Sequence, residues 1–229
     1  MFLEKFEKFL RTVDLKGYRK KYSHIKIVEM DLPKDIQAIE LLYKAYWDEK
    51  SFLAYEAFYK RYLNEKKEQL ERFRQKSTMC EDCFYRGLAA RIYRTWAGLI
   101  TQIHAGYVAE SVFGEGTVSM SAALDSQGAD IRVEYKDHFL NYQVKKTSHS
   151  GVKSGRPLPR KGKLNGEAID IKYEVPTSLS DPKTEKGAFR KPYVRFSEDK
   201  RIRALENGFV VFTPHTFEVK KAEIDRSLK

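Results

Sequence analysis

Two short runs of alternating residues constrain this chain more than any other part of it. They are Ala129–Tyr135 and Phe139–Lys146, joined by Lys136-Asp137-His138. Apolar residues at every second position require strands with one covered face, and the polar residues between them suit a tight turn. A hairpin of this kind decides which side chains meet. Gln143 and Lys145 share one face of the second strand, and Val144 points to the other. That face lies beside Asp130 at the mouth of the first strand. An acid, an amide oxygen and an ammonium then converge on one point. Such a set can hold a divalent cation and activate a water against a phosphodiester. Two amphipathic strands with charges on a solvated face would read the same way, so the surroundings must decide.

The surroundings are strongly basic. The 229 residues carry a formal charge of +11, which favours a polyanionic partner. The cations cluster. Between Lys145 and Lys163 stand Lys145, Lys146, Lys153, Arg156, Arg160, Lys161 and Lys163 without a single acid. No apolar run approaches the roughly 20 residues that a bilayer-spanning helix needs. The opening Met1-Phe-Leu-Glu-Lys-Phe6 mixes charges into apolar positions, unlike a signal or transit peptide. The expected location is therefore cytoplasmic. Both cysteines sit in Cys80-Glu-Asp-Cys83. A zinc site would need a second pair, His104 could add only one ligand, and a redox motif would need a preceding strand. Structural or incidental thiols are the expectation.

Along the chain, the first half reads as helical. Phe2, Phe6, Phe9, Leu10 and Val13 share a helical face that should end at Asp14-Leu-Lys-Gly17. Pro33, with Asp31 as cap, should open a second helix through about Trp47. A third should run from Ser51 to about Lys76, with Phe52, Tyr55, Phe58, Tyr59 and Tyr62 in the core rather than stacking on bases. A fourth should run from Asp82 to Phe113. After Gly114-Glu-Gly116 the texture changes to strands at Thr117–Leu124, Ala129–Tyr135 and Phe139–Lys146. A loop at Ser148–Asn165 and a strand at Ala168–Val175 follow. A helix at Ser197–Asn207 and a buried strand at Gly208–Thr213 close the series.

The expected fold class is thus α/β of the α+β kind. A mainly helical part, residues 1–113, joins a mixed sheet flanked by helices, residues 114–229, within a single domain. A long helix, a three-stranded meander, then a helix and a further strand is the core order of the PD-(D/E)xK nucleases. Asp130 and Gln143/Lys145 occupy the slots of its active acid and its x-Lys pair. Gln143 departs from the usual acid: it offers an oxygen but no charge. Asp125 is the candidate for the missing carboxylate, and Glu110, late in the preceding helix, is its rival.

A closer likeness runs through the whole chain. It is carried by Phe6-Glu-Lys-Phe-Leu10, Asp14-Leu15, Asp31-Leu-Pro33, Tyr46-Trp47, Leu88-Ala-Ala-Arg-Ile-Tyr-Arg-Thr95, Leu124-Asp-Ser-Gln-Gly-Ala-Asp130, Val144-Lys-Lys146, Glu174-Val-Pro176 and Asn207-Gly-Phe-Val-Val-Phe212. These segments resemble the TaqI-type restriction endonucleases. The resemblance implies a type II restriction enzyme that cuts duplex DNA at TCGA after the first base, with Mg²⁺. It implies catalytic roles for Asp125, Asp130 and Lys145. Asp125, Asp130 and Gln143 form the expected metal set, and Gln143 joins the catalytic group. Lys146, Lys153, Lys161 and Lys163 are expected on phosphates, and Arg156 or Arg160 on guanine. A palindromic site suggests a homodimer, and a restriction enzyme implies a DNA methyltransferase for the same site. Between Ser148 and Arg195 the likeness is weakest. Two other readings stay open on the residues alone: a structure-specific or repair nuclease of the same fold, and a DNA-binding module with inert acids.

Overall fold

The computed structural model describes residues 2–25, 32–147, 164–176 and 183–228. Backbone contacts divide the chain into two compact units. One is Thr12–Ile100; the other joins Met1–Arg11 to Thr101–Lys229.

Helix α1 (Phe2–Thr12) is followed almost at once by α2 (Leu15–Tyr22). Asp14 starts α2, its side chain accepting the Gly17 N–H at 2.8 Å. A Cβ at Gly17 would lie 2.1 Å from the Asp14 carboxylate, so a larger residue there would make the capping side chain shift. The first helix thus ends where expected, just before Asp14-Leu-Lys-Gly17, and the same segment opens a second helix, with Asp14 as its cap. Pro33 leads into a 3-10 turn (Lys34–Ile36), α3 (Ile39–Tyr43) and a π turn (Lys44–Asp48) rather than one regular helix; Asp31 lies outside the described residues. The expected third helix begins only at Tyr55 and breaks at Lys66 into α4 (Tyr55–Glu65) and α5 (Lys67–Lys76). No glycine or proline announces that break.

Helix α6 (Glu81–Phe113) then runs as expected, its first twenty residues in this unit. Tyr55, Phe58 and Tyr62 are buried, as core residues should be. Tyr22 stacks on Tyr93 at 5.1 Å, and Trp96 Nε1 donates to the Tyr46 hydroxyl at 2.7 Å. Both cysteines are free thiols, and Cys80 Sγ accepts the Cys83 N–H at the start of α6.

The second unit holds the sheet. Its elements are β1 (Val118–Ser119), α7 (Ala122–Ser126), β2 (Ile131–Tyr135), β3 (His138–Thr147), β4 (Glu167–Glu174), α8 (Lys191–Glu198), β5 (Ile202–Ala204), β6 (Val210–Phe212) and α9 (His215–Ser227). The four-stranded sheet runs β1-β2-β3-β4, antiparallel except for β4, which is parallel to β3. Lys136 and Asp137 both take positive φ, 47° and 63°, as the centre of a two-residue hairpin turn demands. Ile131, Val133, Leu140, Tyr142, Val144, Ile171 and Tyr173 form the covered face. Phe217 of α9 meets Tyr142 at 5.1 Å, and Phe212 of β6 meets Tyr173 at 5.2 Å.

Two expectations change here. Thr117–Leu124 is only briefly a strand before α7 begins, and the expected helix at Ser197–Asn207 is instead the end of α8 plus β5. Gly208, at φ +82°, closes a turn in which Leu205 N–H donates to Phe209 O at 2.7 Å, so β6 pairs with β5 in a separate two-stranded sheet. His104 is fully buried, and burial pushes its pKa down. Its Nδ1 accepts the Phe212 N–H, and its Nε2 faces Glu7 at 3.2 Å. The His104 hydrogen bond, with Arg203 beside it, holds the Glu7 carboxyl down at about 2. Both ring nitrogens are engaged, so His104 ties α1, α6 and β6 together and is not a spare ligand.

Gly166 sets the start of β4. It stands at φ +112°, and a Cβ there would lie 2.2 Å from the Phe139 carbonyl oxygen. Gly166→Ala is expected to cost about 2 kcal/mol or more, from strained φ and overpacking together. Denaturant melts check this: an unchanged midpoint would mean that β4 does not pack on β3 as described.

Candidate active site

The register of the hairpin builds the site. Ile131 pairs with Tyr142, and the N–H of Asp130, just before it, donates to the Tyr142 carbonyl at 2.9 Å. Asp130 is 3% exposed, and its Oδ2 accepts the Val144 N–H at 2.6 Å. This charge-assisted bond stands where a backbone ladder bond would be if β2 began one turn of the pleat earlier. The N–H and C=O of a strand residue face the same edge. The Val144 carbonyl therefore faces the side on which the Asp130 carboxylate sits.

Helix α7 delivers the second acid. Ser121 caps it, accepting the Leu124 N–H at 3.2 Å. Gly128, at φ +85°, ends it; its N–H donates to Asp125 O and the Ala129 N–H to Leu124 O. This single turn folds Asp125 back until its side chain is hydrogen-bonded to Asp130. Burial pushes the Asp125 carboxyl above the usual carboxylate range, with the Asp130 hydrogen bond working the other way. Two carboxyl groups in contact need a proton or a cation between them. The sequence places Asp125 in a connecting loop; the Ser121 cap and the Gly128 stop were the signals for a helix.

Gln143 and Lys145 share the face opposite the buried Val144, as alternation requires. Gln143 Oε1 is buried and has no hydrogen-bond partner among the described residues. An orphaned acceptor of this kind costs about 1–3 kcal/mol unless something satisfies it. Next to an acid pair, a divalent cation would do so. The residues therefore fit a metal: Asp125 and Asp130 as carboxylates, with the Gln143 side chain and the Val144 carbonyl as neutral oxygens. Lys145 is exposed on that face. Lys146 falls in the opposite phase, opposite Tyr173 of β4.

The parallel strand adds two residues that the sequence did not single out. Asp170 lies opposite Gln143, and Lys172 opposite Lys145. Glu110 accepts the Gly116 N–H at 3.4 Å, in the turn after α6. Among the described residues no three acid, thiol or imidazole side chains converge closely enough to hold an ion alone, so Glu110 does not join the Asp125–Asp130 pair. Lys153, Arg156, Arg160, Lys161 and Lys163 lie outside the described residues.

Comparison with known proteins gives the family. The model of the TaqI restriction endonuclease family matches residues 3–222. The chain belongs to the TaqI restriction endonuclease family. It is 34% identical over 225 residues to the type II restriction enzyme TaqI of Thermus aquaticus, covering 92% of this chain and 83% of that one. It is 31% identical over 223 residues to the type II restriction enzyme TthHB8I of Thermus thermophilus, with the same coverage. No solved structure gives a significant match. Membership of the TaqI restriction endonuclease family makes the chain a type II restriction enzyme, a site-specific deoxyribonuclease. No helix among the described residues is long and apolar enough to cross a membrane.

Asp130 has two separable duties in this site, as an acceptor for Val144 and as a charge. Asp130→Asn keeps an oxygen for the Val144 N–H, so it should melt close to wild type. Asp130→Ala should lose about 1–3 kcal/mol more, because it leaves a buried N–H unpaired. Neither variant should cleave DNA at more than about one thousandth of the wild-type rate. Thermal melts beside cleavage assays separate the two duties; equal melting of both variants would remove the structural one.

Proposed function

We propose that the protein hydrolyses both strands of duplex DNA at TCGA, after the first base, in a Mg²⁺-dependent reaction. The observation that carries the reading is the clasped acid pair, Asp125 on Asp130 and Asp130 on Val144, beside the orphaned Gln143 oxygen and Lys145. Asp125, Asp130, Gln143 and the Val144 carbonyl would hold the ion. Mg²⁺ held there would supply a Lewis acid for the scissile phosphate. Lys145 orients the attacking water and offsets the negative charge that grows on the phosphoryl oxygens. Water attacks phosphorus and gives up a proton to solvent, the bond to the leaving oxygen breaks, and that oxygen takes a proton from solvent.

Lys146, Lys153, Lys161 and Lys163 serve the phosphate backbone, and Arg156 or Arg160 reads guanine through O6 and N7. A four-base palindrome fits a symmetric dimer on the DNA. Such an enzyme works inside a cell beside a methyltransferase that protects the same sequence. The specificity rests on the family resemblance, and the chemistry on the site.

Digestion of plasmid DNA with Mg²⁺, followed by end mapping, tests the reading. Discrete fragments with ends inside TCGA are expected, and none in the presence of a chelator. Cutting confined to branched DNA would favour a structure-specific nuclease, and intact DNA would favour a binding module; either contradicts the proposal.

The two lysines differ by strand phase. Lys145→Ala should slow single-turnover cleavage about 100-fold or more with little change in DNA affinity. Lys146→Ala should weaken affinity and flatten its salt dependence while the saturated rate stays near wild type. Equal losses of rate in the two would contradict the face assignment.

A further inference from the structure

Gln143 is the residue where this site departs from an all-acid pattern, and the sheet shows what stands beside it. In the parallel register of β3 and β4, Gln143 pairs with Asp170 and Lys145 with Lys172. Partners in register share a face, about 4.8 Å apart. Val144 and Ile171, between them, are both buried on the other side. The face opposite Val144 and Ile171 therefore carries Gln143 beside Asp170, and next to them the pair Lys145 and Lys172.

We infer that Asp170 carries the negative charge that Gln143 leaves out, so that the acid of this position has moved one strand sideways. The inference rests on the metal-dependent reading above. Three features of the row support it. An acid at 143 would put two like charges directly side by side, which a sheet disfavours; an amide does not. An amide beside a carboxylate can donate to it through its nitrogen and turn its oxygen towards a cation. The Gln143 oxygen is indeed buried without a partner among the described residues. Finally, Lys145 and Lys172 are like charges in register, and Asp170 lies diagonally from one and two residues from the other. A negative charge at 170 lets both lysines occupy the face.

Asp170 does not converge with Asp125 and Asp130 into a three-acid cluster. It is a positioning residue, acting through the Gln143 amide and the ion's bound water. Nothing in the sequence pointed to it, because the long segment between β3 and β4 hides the register.

The test is a charge exchange in the full-length protein. Wild type, Asp170→Asn, and the double variant Asp170→Asn with Gln143→Glu are titrated with Mn²⁺ without DNA, following free Mn²⁺ by electron paramagnetic resonance. Single-turnover cleavage with Mg²⁺ and thermal melts accompany each. Asp170→Asn should weaken Mn²⁺ binding about tenfold and slow cleavage, and the double variant should recover most of both. A purely structural aspartate would not be rescued by an acid on the neighbouring strand. Wild-type Mn²⁺ affinity in Asp170→Asn, or a double variant no tighter than Asp170→Asn, overturns the inference. If Asp170→Asn alone does not fold, the double variant decides against wild type: similar Mn²⁺ affinity supports the exchange, and a tenfold loss refutes it. Failure of the functional reading looks different, since wild type itself would then not cut DNA.

Discussion

The hydrogen bond from the Val144 N–H to Asp130 Oδ2, 2.6 Å long, is the constraint on which the site depends. It occupies the point where β2 gives out and β3 still has a donor facing its edge. Without it, the buried Val144 N–H would be unpaired, which is costly. With it, the carboxylate is fixed against the backbone of the strand that carries Gln143 and Lys145. The hairpin register then places the rest. Asp125 closes on Asp130 from α7, and β4 brings Asp170 and Lys172 alongside.

This arrangement joins stability to chemistry. The covered face of the sheet, with Tyr142 on Phe217 and Tyr173 on Phe212, holds β3 rigidly from behind. Its polar face can then carry an orphaned amide oxygen and two contacting carboxyl groups. Those groups are unfavourable for an empty protein and favourable for one that holds a cation. The aromatic packing within Thr12–Ile100 and the His104–Glu7–Arg203 network contribute to stability.

Much of this was legible in the residues, where the determinants are local. Alternation gave the β2–β3 hairpin, its turn at Lys136-Asp137, and the shared face of Gln143 and Lys145. The long helix α6 followed from the absence of any proline between Glu81 and Phe113. Where short signals compete, reading by period failed. Ser121 and Gly128 make α7 out of a stretch that alternates like a strand. Asn207-Gly208 makes a hairpin out of a stretch that looked helical. The segment Asp14–Gly17 ended the first helix as expected, and its capping aspartate also opened a second one that the pattern did not announce. Asp170 was invisible for another reason: parallel pairing across residues 148–166 is a non-local fact that no periodicity encodes.

The central claim is that one divalent cation is held by Asp125, Asp130 and the Gln143 oxygen, beside Lys145. Anomalous diffraction from crystals of the protein soaked in Mn²⁺ tests it most directly. The account predicts a peak about 2.1 Å from Asp130 and Gln143 Oε1, with Asp125 as the second carboxylate. A well-occupied Mn²⁺ bound elsewhere in the chain, with Asp125 and Asp130 still hydrogen-bonded to each other, would contradict it.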